Sequence, residues 1–252
     1  VSDNAEALPP NRSQEKKWSK EIRSRLNTWI ATDDLLAIER ALTSDSLTAH
    51  ARAEDDKIII DYEPLTSGTG YVRPAVLLEF GARATGEPWE TRPVACDAAT
   101  HLPQLEFPHA TPQVMKAERT FWEKATAIHV FCLQGRFRGA ERFARHWYDI
   151  TRLDELGYAA QADADIAHAV ARHKAVFFPE KTSDGELIDY MAAVTGGLRL
   201  TPEGEARRLL AEDYRRMVDD GLFLDEAEPF ETLLAHCERI ELRVNDTDGI
   251  HK

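Results

Sequence analysis

The chain has 252 residues with 43% hydrophobic and 30% charged side chains, a composition that fits one large globular domain or two small ones. Its net charge of −13 disfavours indiscriminate nucleic-acid binding, and no apolar run approaches the roughly 18 residues that a membrane span needs. Cys96, Cys132 and Cys237 are scattered without C-x-x-C spacing, which argues against a structural zinc site or disulfide framework and suits a reducing cytoplasm.

Val1 to Arg12 is polar and proline-bearing, and it reads as the interior of a longer protein rather than a natural start. From Gln14 to about Ser44 the spacing of Trp18, Ile22, Leu26 and Trp29 predicts helix. The β-branched run Ile58-Ile59-Ile60 predicts a strand over Lys57 to Tyr62. Ser67-Gly68-Thr69-Gly70 lacks the lysine and the following helix of a phosphate loop, so it reads as a hairpin turn. A buried strand is expected over Arg73 to Phe80 and a third over Trp89 to Cys96, spaced as a meander rather than as βαβ units. The proline-rich stretch from Leu102 to Pro112 marks a boundary. The expected fold class is α+β, with an α+β part over residues 1–110 and an all-helical part over 111–252.

The helical part opens with a predicted hairpin over about 112–157. Gly135 ends its first helix and Gly139 precedes its second, with Arg136-Phe137-Arg138 as a short antiparallel connection. Lys124 and Asp149 each lie about 15 Å from that turn, at matching depth. On the first helix Val114, Phe121, Ala125, Ile128 and Cys132 make an apolar stripe that Lys124 and Glu118 flank. On the second, Arg142, His146, Asp149 and Leu153 share a face. A lysine beside a buried stripe must snorkel, pair with a carboxylate or meet a ligand. Geometry alone leaves two readings open, an ion pair joining two helices or two charges facing one pocket. Arg136, Arg138, Arg142, Arg145 and Arg152 oppose the acidic trend and fit a triphosphate, an RNA backbone or a solvated face. Further helices are expected over Ala162 to Phe178, from a capping Thr201 and Pro202 to Gly221, and over Pro229 to Val244.

Glu79 ends an otherwise apolar strand, a place for a metal ligand or general base, or for a rim residue paired to Arg83. With Asp149 it suits a magnesium-dependent reaction. Asp61, Glu63 and Glu79 make a weaker case for a metal nuclease. His168 and His173 are five apart, poor helical ligand spacing, and read as structural or surface groups. No G-x-S-x-G elbow is present, so triad hydrolysis has no support.

The strings Glu118-Arg119-Thr120-Phe121-Trp122-Glu123-Lys124-Ala125 and Arg145-His146-Trp147-Tyr148-Asp149-Ile150 resemble the AbiEii/AbiGii toxin family of nucleotidyltransferase-like proteins, over roughly residues 55–180. The resemblance implies a partial nucleotidyltransferase-type sheet followed by a helical bundle. It implies a toxin of a type IV toxin–antitoxin or abortive-infection system that transfers nucleotides from a nucleoside triphosphate to an acceptor such as tRNA. Mg2+ and a cognate antitoxin are implied with it. Residue by residue, Lys124 matches the lysine expected to contact the triphosphate and Asp149 the aspartate expected to orient the site. Glu79 matches a third, strand-borne carboxylate and potential metal ligand. Arg142, Arg145 and His146 would help hold phosphate. The family's Gly-Ser or Gly-Gly-Thr turn with its Asp-x-Asp pair is not found here. On that reading this chain alone is expected to be inactive and its full-length parent to be the enzyme. The alternative is a catalytically inactive module that binds RNA or an antitoxin through the arginine-rich hairpin.

Overall fold

The computed structural model describes residues 8–67, 70, 73–81, 83, 86–135, 142–161, 164–223 and 226–246. The first helix, α1 (Arg12–Trp29), is capped by Asn11, whose side chain accepts from the Gln14 N–H at 3.0 Å. A π-helical turn over Ile30–Asp34 carries it into α2 (Leu35–Ser44) without a break.

A three-stranded antiparallel sheet follows, β1 (Ala49–Glu54), β2 (Lys57–Tyr62) and β3 (Ala75–Glu79), with β2 in the centre. The meander is therefore present, but its third member is β1 rather than Trp89 to Cys96. The sequence Ala-His-Ala-Arg-Ala-Glu has no β-branched residue to announce a strand. It forms by pairing across the two-residue turn Asp55-Asp56, with Asp55 at φ 51°. Ile58 and Ile59 are both buried, so β2 is covered on both faces.

The expected third strand divides into β4 (Trp89–Thr91) and β5 (Val94–Ala95). These pair separately with β7 (Gln113–Met115) and β6 (His109–Ala110). Val114 therefore sits in a strand opposite Glu90 rather than on the helical stripe. The helical signature begins only at α3 (Ala117–Gln134), because Lys116 is still extended.

α3 ends at Gly135, whose φ of 61° lets its N–H reach back to the Phe131 carbonyl at 2.9 Å. The expected connection 136–138 and Gly139 lie outside the described residues, as do Gly68, Thr69, Asp163, Thr247 and Asp248. α4 (Arg145–Glu155) starts six residues after Gly139, so the equal-depth construction does not hold in its details. Aromatic contacts of Phe131 with Phe143 and Trp147 still set the two helices antiparallel.

The chain continues through α5 (Tyr158–Gln161), α6 (Ala164–Phe177), the short α7 (Tyr190–Ala192), α8 (Gly204–Asp219) and α9 (Phe230–Asn245). Thr201 does not cap α8, which has Glu203 at its N-cap. Its hydroxyl and N–H go instead to Glu241 of α9, which also takes the Leu200 N–H at 2.6 Å. The main core cluster joins Phe121 and Ile128 of α3, Trp147 and Ile150 of α4, Val170 of α6, Leu210 of α8 and Ile240 of α9. Trp147 is fully buried and its indole N–H donates to the Leu200 carbonyl at 2.7 Å. No described helix is long and apolar enough to cross a membrane.

Candidate functional site

α3 buries Phe121, Ala125 and Ile128, which leaves Glu123 and Lys124 to diverge on either side of that stripe. On one side, the Lys124 ammonium donates to Asp149 Oδ2 at 2.6 Å, with the two side chains 24% and 35% exposed. One turn earlier on α4 stands His146, whose buried Nδ1 has no hydrogen-bond partner. Burial, then the charges of Lys124 and Arg145, push His146 down to about 4, so its ring is neutral near pH 7. Arg145 is exposed, while Arg142 precedes the helix at φ 71°. The Arg142 and Ala144 N–H groups donate to the two oxygens of Asp213 on α8, at 2.9 and 2.7 Å. A carboxylate on a distant helix thus fixes the entry into α4.

On the other side, Glu123 is the centre of a denser cluster. Lys174 of α6 reaches its Oε2 at 2.7 Å, Arg119 its Oε1 at 3.3 Å, and His173 Nδ1 lies 3.9 Å away. Burial pushes the Glu123 carboxyl up, but Lys174, His173 and Arg119 together outweigh it and hold the group below the usual carboxylate range. The opposite nitrogen of His173, Nε2, lies 2.6 Å from the Arg83 carbonyl and serves as its donor. Burial pushes this ring down, against Glu123 and that carbonyl. The Arg83 guanidinium donates to the Phe177 carbonyl at 3.2 Å. These groups line a cleft of about 740 Å³ into which Arg23 of α1, Arg83, Arg119 and Lys174 converge, with Asp56 and Glu123 opposing them.

Glu79 lies elsewhere, at the rim of the sheet. Its cross-strand neighbour Lys57 takes its carboxylate at 2.5 Å, and the side chain is 60% exposed. Lys57, not Arg83, is thus its partner. Asp61 is taken by Arg52 at 3.1 Å and Arg73 at 2.6 Å, and Glu63 is exposed. Arg152 of the arginine-rich segment pairs with Glu155 and stacks over Tyr148, while Arg136 and Arg138 lie outside the described residues. Among the described residues no group of three or more His, Cys, Asp or Glu can hold a metal ion. Glu79, Glu123 and Asp149 each already face a cation.

Sequence reasoning missed the Glu123–Lys174–Arg119–His173 cluster. Glu123 stands in the signature string beside Lys124, and apart from Arg119 on its own helix its partners, Lys174 and His173, lie on α6, about fifty residues away in sequence. Of the two expectations for His173, a structural or a surface group, its burial against the Arg83 carbonyl fits the structural one.

The family model described as "Nucleotidyl transferase AbiEii toxin, Type IV TA system" matches residues 8–236. That span is most of the chain, and the chain belongs to this family. No curated protein and no solved structure matches it.

Proposed function

From that membership we propose that this chain takes part in nucleotide transfer from a nucleoside triphosphate to an acceptor such as tRNA, in a system where a cognate antitoxin restrains it. The observation that carries the reading is the convergence of Arg23, Arg83, Arg119 and Lys174 from separate parts of the fold on one cleft, which α3 lines with Glu123, next in sequence to Lys124. Transfer of this kind rests on positioning and on neutralising phosphate charge. Guanidinium groups offer forked donors to phosphate oxygens, and the lysines offer point charges.

In this reading Lys124 contacts phosphate and Asp149 holds the ammonium in place until a phosphate takes its share of the charge. His146, held neutral, stands one turn from Asp149 on the same helix. Arg145 and Arg142 border the same helix entry. Glu79 has no role in the cleft, because its partner is Lys57.

The test is growth inhibition by the complete reading frame. Lys124→Ala and Asp149→Ala are each expected to relieve it at normal expression. Undiminished toxicity from both variants would overturn the reading. In vitro, the same substitutions should lower transfer of radiolabelled nucleotide to tRNA by at least about tenfold, the loss expected when one charge-assisted phosphate contact of about 1.4 kcal/mol disappears.

A further inference from the structure

α1 places Arg12, Lys16, Lys20 and Arg23 on one face at helical spacing. That face forms one wall of a second groove, of about 570 Å³, whose other wall is the end of α6 from Val176 to Glu180. The groove runs into the cleft described above, since Arg23, Arg83 and Phe178 line both. Arg12, Lys16 and Lys20 are exposed and form no ion pair with any described residue. Lys17, Arg40, Arg172 and Arg239 also have no ion pair with a described residue, so what sets Arg12, Lys16 and Lys20 apart is that they share one wall of one groove. Arg207, Arg208, Arg215, Arg216 and Arg243 of the helical bundle have carboxylate partners. The acids along the groove are engaged, Glu15 by the Ser19 hydroxyl at 3.0 Å and Glu180 by Gln134 at 3.1 Å. At the junction Phe178 keeps 39% exposure, with Arg83 and Lys174 at 5.7 and 5.0 Å from its ring centre.

A track of exposed cations, of which Arg23 meets Asp56 at 4.0 Å, beside a partly exposed ring is the pairing that binds single-stranded nucleic acid, charge along the backbone and a π-face for a base. Arg12 to Arg23 spans about 16 Å of helix, the length of a few nucleotides. We propose that a single strand of RNA lies along α1, its phosphates on Arg12, Lys16, Lys20 and Arg23 and a base on Phe178, and so enters the cleft. This deepens the function proposed above and rests on it for the identity of the cleft, but it concerns a surface that contains neither Lys124 nor Asp149.

The experiment measures anisotropy of a short fluorescein-labelled single-stranded RNA titrated with the chain between about 50 and 200 mM salt. The triple variant Arg12→Gln/Lys16→Gln/Lys20→Gln should bind at least about tenfold more weakly and lose about 2 from the slope of log K against log salt, as three released cations imply for a single strand. Phe178→Ala should weaken binding by about tenfold while leaving that slope unchanged. Arg207→Gln/Arg215→Gln/Arg216→Gln, on the far helix α8, makes the same charge change and should bind like wild type. Wild-type affinity in the α1 variant, or equal losses in the α1 and α8 variants, would overturn the proposal. So would a duplex of the same sequence binding as well as the single strand. Failure here leaves the Lys124 and Asp149 growth test untouched. Failure of that test with α1-dependent RNA binding intact would overturn the catalytic reading and keep this surface.

Discussion

Asp213 ties the bundle to the start of α4, and its removal has a calculable cost. Its two oxygens accept the Arg142 and Ala144 N–H groups, and the residue is 9% exposed. Ala144 is fully buried, so in Asp213→Ala its N–H loses a charge-assisted bond with no water to replace it, at about 2–3 kcal/mol. Arg142 is half-buried and recovers part of its loss from solvent, leaving about 1 kcal/mol. The total is about 3–4 kcal/mol, which for a chain of this size lowers Tm by roughly 6–16 °C. Asp213→Asn keeps one acceptor and turns an amide N–H toward the other donor, so it should cost about 2 kcal/mol. Urea unfolding monitored by tryptophan fluorescence gives both numbers. Loss of growth inhibition should also exceed that in Leu210→Ala, a core truncation on the same helix with a cost of about 2–5 kcal/mol. A loss below about 1 kcal/mol in Asp213→Ala would refute the reasoning. So would an Asn variant indistinguishable from wild type.

Three further outcomes follow from the same geometry. A double-mutant cycle on Lys124 and Asp149 should give a coupling of only about 0.5–1 kcal/mol by urea unfolding, since the pair is half-buried; a coupling above about 3 kcal/mol would mean that the pair is chiefly a structural clamp. His129 is buried, its Nδ1 accepts the Arg199 N–H at 3.0 Å, and burial pushes it down to about 4, below the ordinary 6.5. The folded chain then binds fewer protons than the unfolded one, so this contribution of about 3 kcal/mol is complete above pH 6.5 and about 2 kcal/mol of it is gone by pH 5. His129→Gln, an acceptor that does not titrate, should lessen the fall in the urea midpoint between pH 7.5 and 5 without abolishing it, since burial holds His146 and His173 down as well; an unchanged slope would count against the assignment. Trp147→Phe leaves the Leu200 carbonyl without its donor and removes ring volume, and should cost about 2–4 kcal/mol in the same assay.

Periodicity reached the elements whose burial it encodes. The helices of the bundle and the strand around Ile58-Ile59-Ile60 follow from hydrophobic spacing because they are buried, whereas Ala75-Val76-Leu77-Leu78, expected as a buried strand, forms the sheet edge with Val76 and Leu77 each 49% exposed. β1 was illegible because its alanines and charges form a strand only when β2 is beside them. Val114 fell on the helical stripe by spacing, and pairing with Glu90 overrode it. The start of α8 was misplaced because Thr201 had a better partner in Glu241, forty residues away, than in its own helix. The Lys124–Asp149 contact was legible as two charges on neighbouring helices. Glu123 and Lys174 were not, because nothing in one chain's spacing says that α6 will cross α3 at that point.

Among the described residues before α3, the buried aliphatic side chains are Ile30, Ile58 and Ile59, whereas the bundle holds the large core. The sheet half should therefore open at lower free energy than the bundle, and amides of β2 should exchange hydrogen with solvent well before those of α3 and α9. The cleft draws Arg23 and Arg83 from the weaker half and Arg119 and Lys174 from the stronger. Any polyanion held by all four would be broken from two of its ligands whenever the sheet opens. Its binding free energy is added to that opening, about 2.7 kcal/mol at a hundred times Kd, a roughly hundredfold slowing of exchange. The least stable part of the molecule thereby becomes an occupancy meter, readable amide by amide, for whatever the cleft binds.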